Sequence, residues 1–124
     1  MSYKLTITKK PTYLHIIVTG QLSEENVLRY FEEIHRECTA SNCFRILIEE
    51  NLDGPRLSVI KVFELVLKES NKSRGLFEAI AYVDVNAMGD SMKFIENVAV
   101  NHGLPARVFS TVVDAEKWLL NKAR

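Results

Sequence analysis

Ser58 is the residue of this chain best placed for chemistry. It stands between a polar turn, Asn51 to Leu57, and a run with helical periodicity, inside the stretch FRILIEENLDGPRLSVIKVFELVLKES from Phe44 to Ser70. A serine at a helix start satisfies free backbone N–H groups. A phosphate carried there is held by the same groups and by the helix dipole, with Arg56 near enough in sequence to pair with it. Ser58 therefore reads either as a regulatory phosphosite or as an N-cap worth ~1 kcal/mol.

A second set of residues sits in two polar loops, each expected at the carboxyl end of a strand, where open α/β sheets meet their ligands. Asp53, Gly54 and Arg56 from the first loop, with Asp84, Asn86, Asp90 and Ser91 from the second, would frame a cleft for a ligand or partner. Gly54 and Gly89 would let a backbone come close. The acidic residues lack the fixed spacing of a calcium loop, so no metal is expected, and turn chemistry alone accounts for every one of them. A third set, Leu65, Met88 and Phe94, could form an apolar surface for a lipid or a partner. Met92 joins them in sequence but falls on a core stripe by helical spacing.

Classical catalytic patterns are not apparent. His15, His35 and His102 are dispersed over a strand, a helix and a helix end, and GxSxG, P-loop and GxGxxG motifs are missing, so neither an enzyme nor a bound cofactor is expected. Cys38 and Cys43 lack CxxC spacing and read as free thiols. Sixteen basic and sixteen acidic residues cancel, which removes the electrostatic case for nucleic acid. No apolar run reaches the ~20 residues that span a bilayer and the amino-terminal residues alternate polar and apolar, so a soluble, cytoplasmic protein is expected.

The elements that position these residues follow from periodicity. In 124 residues, 47% apolar and 26% charged, one domain over 1–124 is expected. Tyr3, Leu5 and Ile7 alternate with polar residues in a first strand, and Tyr13 to Thr19 forms a second, antiparallel to it across a short connection. Ser23 caps a helix to about Cys38, with Val27, Leu28, Phe31, Ile34 and Cys38 on one stripe and Glu25/Arg29 and Glu32/Arg36 opposite. Ile46 to Ile48 marks the third strand, broken by Asn51, Asp53, Gly54 and Pro55. In the next helix Val59, Ile60, Val62, Phe63, Val66 and Leu67 form the inward arc, with Leu65 on the polar side.

Ser70 to Gly75 reads as a loop and Phe77 to Val83 as a central strand covered on both faces, where Ala79 and Ala81 would admit a helix closely. Asp90 or Ser91 caps a third helix, with Met92, Ile95, Val98, Ala99 and His102 on one face, Phe94 off it, and Gly103 as its stop. Ala106 to Phe109 is a last strand; Thr111 and Asp114 form a capping box for a helix carrying Ala115, Trp118 and Leu119. The order is β-β-α-β-α-β-α-β-α.

That order, with the ending RVFSTVVDAEKWLL and its Ala115 and Trp118-Leu119, resembles the SpoIIAA-like proteins of the STAS superfamily. The resemblance implies an α/β fold: a five-stranded, mostly parallel mixed sheet whose first strand is antiparallel, joined by right-handed crossovers. It also implies a non-enzymatic regulatory module acting through another protein, switched in one branch by phosphorylation of a serine at the start of the helix after the third strand. Here Asp53 and Ser58 occupy that region, with Gly54-Pro55-Arg56 in place of the short serine motif. A branch resembling small CRAL-TRIO domains implies instead an apolar ligand or a membrane surface. The exposed edge of the sheet makes a homodimer a further expectation.

Overall fold

Tertiary pairing follows from which residues alternate. The computed structural model describes residues 2–84 and 89–122. β1 (Tyr3–Lys9) and β2 (Leu14–Gln21) pair antiparallel, and β2, β3 (Arg45–Asp53), β4 (Ala79–Asp84) and β5 (Ala106–Phe109) pair parallel in the order β1-β2-β3-β4-β5. Between them run α1 (Glu24–Ser41), α2 (Val59–Lys72) and α3 (Gly89–Asn101), and α4 (Val112–Lys122) follows β5. This is the expected α/β sheet with its antiparallel first strand at an edge.

Successive parallel strands step in one direction, so crossovers of one hand lay α1, α2 and α3 on the same face. The larger core lies there: Leu14, Ile16 and Val18 of β2 and Ile46, Ile48 and Leu52 of β3 meet Tyr30 and Ile34 of α1, Leu65 of α2 and Ala99 of α3. The opposite face of β3 and β4 is covered by α4, whose Ala115 and Leu119 pack on Leu47, Ala79, Ala81 and Val83. The two alanines do let a helix approach closely.

Three helix starts match the sequence reading, whereas α3 begins at Gly89, so Asp90 and Ser91, expected as its cap, lie inside its first turn. Ser23 Oγ accepts from Asn26 N at 3.0 Å, Ser58 Oγ from Lys61 N at 3.2 Å and Thr111 Oγ1 from Asp114 N at 3.2 Å. Other boundaries differ. α1 continues to Ser41, because Asn42 takes the left-handed conformation (φ 51°) and its N–H reaches the carbonyls of Cys38 and Thr39. Asn51 to Asp53 extend β3 instead of breaking it, since β2 offers them Thr19, Gly20 and Gln21 as parallel partners. α2 continues through Asn71 and Lys72 to a cap at Ser73.

The largest correction concerns the rotation of α2. Leu65, expected on the polar side, is buried, whereas Ile60 and Phe63, expected inside, are 71% and 38% exposed. The inward row is Val62, Leu65, Val66 and Glu69, spaced i, i+3, i+4, i+7. Glu69 fills the fourth place in that row because His35 of α1 meets its carboxylate at 2.6 Å. Lys61 on the outer side reaches Glu24 at 3.0 Å, which holds the same rotation. Among the described residues no helix is long and apolar enough to cross a membrane.

Gly20 lets the β1–β2 pair close. Its φ is +125°, and a Cβ there would lie 2.6 Å from Ser2 O and 2.7 Å from Tyr3 Cα, both backbone atoms that cannot give way cheaply. Gly20→Ala is expected to cost on the order of 3 kcal/mol, from backbone strain plus displacement of the edge strand. Gly75 has φ +76° with open space around it, so Gly75→Ala should cost only about 1 kcal/mol. Urea denaturation of the two variants checks the order; equal losses would mean that close packing of β1 adds nothing.

Candidate functional site

Period-2 alternation places Ile46, Ile48, Glu50 and Leu52 of β3 on the face that looks toward α1–α3. On β4 the same face carries Ile80, Tyr82 and Asp84, and the strand register sets Ile48 opposite Tyr82 and Glu50 opposite Asp84. The row of β4 therefore ends on a polar residue, and that of β3 is interrupted by one, Glu50, before Leu52. Glu50 and Asp84 are only 4% and 7% exposed.

Glu50 is held by two tyrosines. Its carboxylate accepts from the hydroxyl of Tyr30, which projects from α1, and from that of Tyr82. Burial pushes the Glu50 carboxyl above the usual glutamate range; the tyrosine hydrogen bonds oppose this, and the neighbouring Asp84 adds to it. Both hydroxyls are raised well above ordinary tyrosine, first by burial and then by Glu50, so they remain neutral donors. Arg56 closes the cluster from the β3–α2 turn: its guanidinium donates to Leu52 O at 2.7 Å and Gly54 O at 3.1 Å, and lies 3.9 Å from an Asp84 oxygen.

Beside this cluster a cavity of about 410 Å³ lies between the sheet and the three helices. Phe31 of α1, Val62, Leu65 and Val66 of α2, and Phe94 and Ala99 of α3 form much of its apolar wall; Tyr30, Glu50, Tyr82, Asp84 and Arg56 form a polar end. Its volume falls within the range usual for small-molecule sites, ~300–1,000 Å³. It runs from Ile80, Leu104 and Ala106 at the amino ends of β4 and β5 to the carboxyl ends of β3 and β4, where open α/β sheets place their ligands.

Of the loop residues expected to converge, Arg56 and Asp84 do meet. Asp53, the last residue of β3, and Gly54 after it are exposed; the Asp53 carbonyl accepts from Leu22 N at 2.8 Å, and Gly54 has φ +105°. Asn86 and Met88 lie outside the described residues, and of Asp90 and Ser91 only the backbone is described. The expected apolar surface of Leu65, Met88 and Phe94 is corrected at both described members: Leu65 is buried, and Phe94 is half-buried in the cavity wall, because α3 turns that side toward the sheet. Ser58 is exposed.

Sequence reasoning missed Tyr30, Glu50 and Tyr82, although a signal was present. Glu50 interrupts an otherwise apolar alternate row, and Tyr30 lies four residues before Ile34 on the inward side of α1. A second polar group was also missed. His35 Nε2 lies 2.6 Å from Glu69 Oε2 and 2.9 Å from Ser73 Oγ, and Ser73 donates to the same Glu69 oxygen. A nucleophilic triad needs serine and carboxylate on different ring nitrogens; here both address Nε2, so the group ties α1 to α2 without forming a proton relay.

His15 pairs with Glu49 at 3.1 Å, odd-numbered positions that face the α4 side, and His102 is exposed beside the Phe63 ring. Among the described residues no group of three or more histidine, cysteine or acidic side chains could hold a metal. The Cys38 thiol is pushed up to about 12, first by burial.

No protein-family model matches this chain, and neither does any curated protein. Among solved structures it is similar to an uncharacterised protein of the DUF3478 family from Shewanella loihica PV-4, described as having a SpoIIAA-like fold. The two are 21% identical, the match covers 94% of this chain and 93% of that one, and the TM-score is 0.55. The fold expected from the chain's element order and its ending, SpoIIAA-like, is therefore the fold this chain has.

Proposed function

We propose that this protein is a non-enzymatic binding module for a small, largely apolar molecule held between the sheet and α1–α3. The observation that carries this reading is the 410 Å³ cavity at the carboxyl ends of β3 and β4, apolar along its walls and polar at one end. A natural core is close-packed, and a cleft of this size withholds apolar side chains of three helices from such packing. Placing Glu50 in that wall adds a desolvation cost that a leucine would avoid. Both costs make sense for a site that must stay open and polar at one end.

Regulation through another protein is a second reading, favoured by the surface next to Ser58. Ser58 is exposed at the start of α2, and Ile60 and Phe63 are exposed apolar residues of its first turns. A phosphate on Ser58 would place charge at the edge of that apolar surface and alter what can dock there. Intact-mass measurement of protein isolated under different growth conditions should reveal an added phosphate that Ser58→Ala abolishes; an unchanged mass under every condition removes this reading.

For the ligand reading, the neutral fluorescent probe N-phenyl-1-naphthylamine is expected to bind with one-to-one stoichiometry and blue-shifted emission. Val66→Trp, which fills the cavity from α2, should weaken the probe at least about tenfold while the melting temperature holds or rises. Equal binding by the parent and the filled variant would place the probe elsewhere and overturn the reading.

The burial of Glu50 also predicts a pH dependence. A carboxyl with a raised folded-state value holds its proton better in the folded than in the unfolded chain. Its contribution to stability is therefore complete below the ordinary glutamate range and is lost as pH rises through the raised value. Glu50→Gln, which can still accept from both tyrosines, should be at least as stable as the parent near about pH 7.5, with the advantage shrinking toward about pH 4. Urea midpoints across that window check the sign.

A further inference from the structure

The charge of the cavity wall says which end group a ligand must carry. Among the described residues the lining includes four acidic residues, Glu50 and Asp84 at the polar end, Glu96 on α3 and Glu69 at the far end of α2, against one guanidinium, Arg56. Arg56 is already committed to two backbone carbonyls and to Asp84. Glu96 accepts from Val108 N at 3.0 Å, and Glu69 is held by Ser73 and by His35. Aromatic rings complete the lining: Tyr30, Phe31, Tyr82 and Phe94, with Tyr30 and Phe31 stacked at 4.9 Å.

An anion entering this space would meet like charges and would have to take Arg56 from Asp84. A cation would meet carboxylates and aromatic side chains, a combination that recognises ammonium groups. Resting on the cavity reading above, we propose that the ligand is an amphiphilic organic amine, its ammonium seated by Glu50 at the polar end and its hydrocarbon body lying along α2 and α3.

Size follows from volume. A volume of about 410 Å³, toward the lower end of the ~300–1,000 Å³ usual for small-molecule sites, suits a small molecule with a chain of about ten carbons. The ammonium also relieves a cost internal to the protein. A positive charge beside Glu50 favours its ionised form, so the ligand would add to the countercharge of Arg56, which Asp84 shares.

Three probes with the same tail separate the end group from the tail: decylamine, decanol and decanoate, titrated calorimetrically into the full chain below the concentrations at which they form micelles. The expected order is decylamine tightest, decanol next and decanoate weakest, with the amine at least about tenfold tighter than the carboxylate. Glu50→Gln should reduce the amine-to-decanoate ratio at least about threefold. Glu96→Gln, which can still accept from Val108 N, should reduce it in the same direction and serves if the first variant does not fold by circular dichroism.

Decanoate binding as tightly as decylamine would overturn the amine assignment while leaving the apolar cavity standing. An amine preference that neither variant reduces would also overturn it, because the carboxylates would then not be its source. Binding of none of the three probes would remove both the assignment and the cavity reading on which it rests.

Discussion

The pleat of β3 is the constraint on which the rest of the structure depends. Alternate side chains of one strand must serve two different layers: Ile46, Ile48, Glu50 and Leu52 look toward α1–α3, while Leu47 looks toward α4. Both neighbours of β3 are parallel to it, so this alternation propagates in register to Leu14, Ile16 and Val18 on one side and to Ile80, Tyr82 and Asp84 on the other. A one-residue slip would send Glu50 into the α4 core and Leu47 toward the cavity, and register is strongly specified for that reason.

The polar end of the cavity is a consequence of that alternation. Glu50 lies on a buried row where an aliphatic residue would pack better, and its neighbour across the register is a second carboxylate, Asp84. Two carboxyl groups can share such a place only with donors around them. Tyr30 and Tyr82 serve Glu50, and Arg56 stands beside Asp84. These donors come from a helix, a strand and a turn, so the cluster also fixes how α1 and the β3–α2 turn sit over the sheet. The His35, Glu69 and Ser73 group does the same between α1 and α2 at the other end of α2. The helix is pinned at both ends, and the space under its middle is left open.

Much of the fold was legible because it rests on local rules. Alternation in β1, the hairpin to β2, the caps at Ser23, Ser58 and Thr111, and the stop at Gly103 all follow from short-range sterics and hydrogen bonding. The rotation of α2 was not legible by the same means. Glu69 reads as a solvent residue until His35, 34 positions earlier, is brought against it, and assigning Glu69 to water moves the inward arc toward Ile60 and Phe63. Asn51 to Asp53 read as turn formers for a similar reason: their propensity favours a break, and only a neighbouring strand with free pairing positions overrides it.

For function the division is sharper. Local pattern determined that this chain forms alternating strands and helices, that its loops after β3 and β4 carry the polar residues, and that Ser58 opens α2. Arg56 and Asp84 were named from those loops and do meet. Only the tertiary structure brought Tyr30, Glu50 and Tyr82 together, left a cavity beside them, and turned Leu65 and Phe94 from an expected surface into its wall. The physical reason is that a cavity and a buried carboxylate are properties of packing between segments distant in sequence. Periodicity reports which face a residue occupies, and packing alone decides what that face meets.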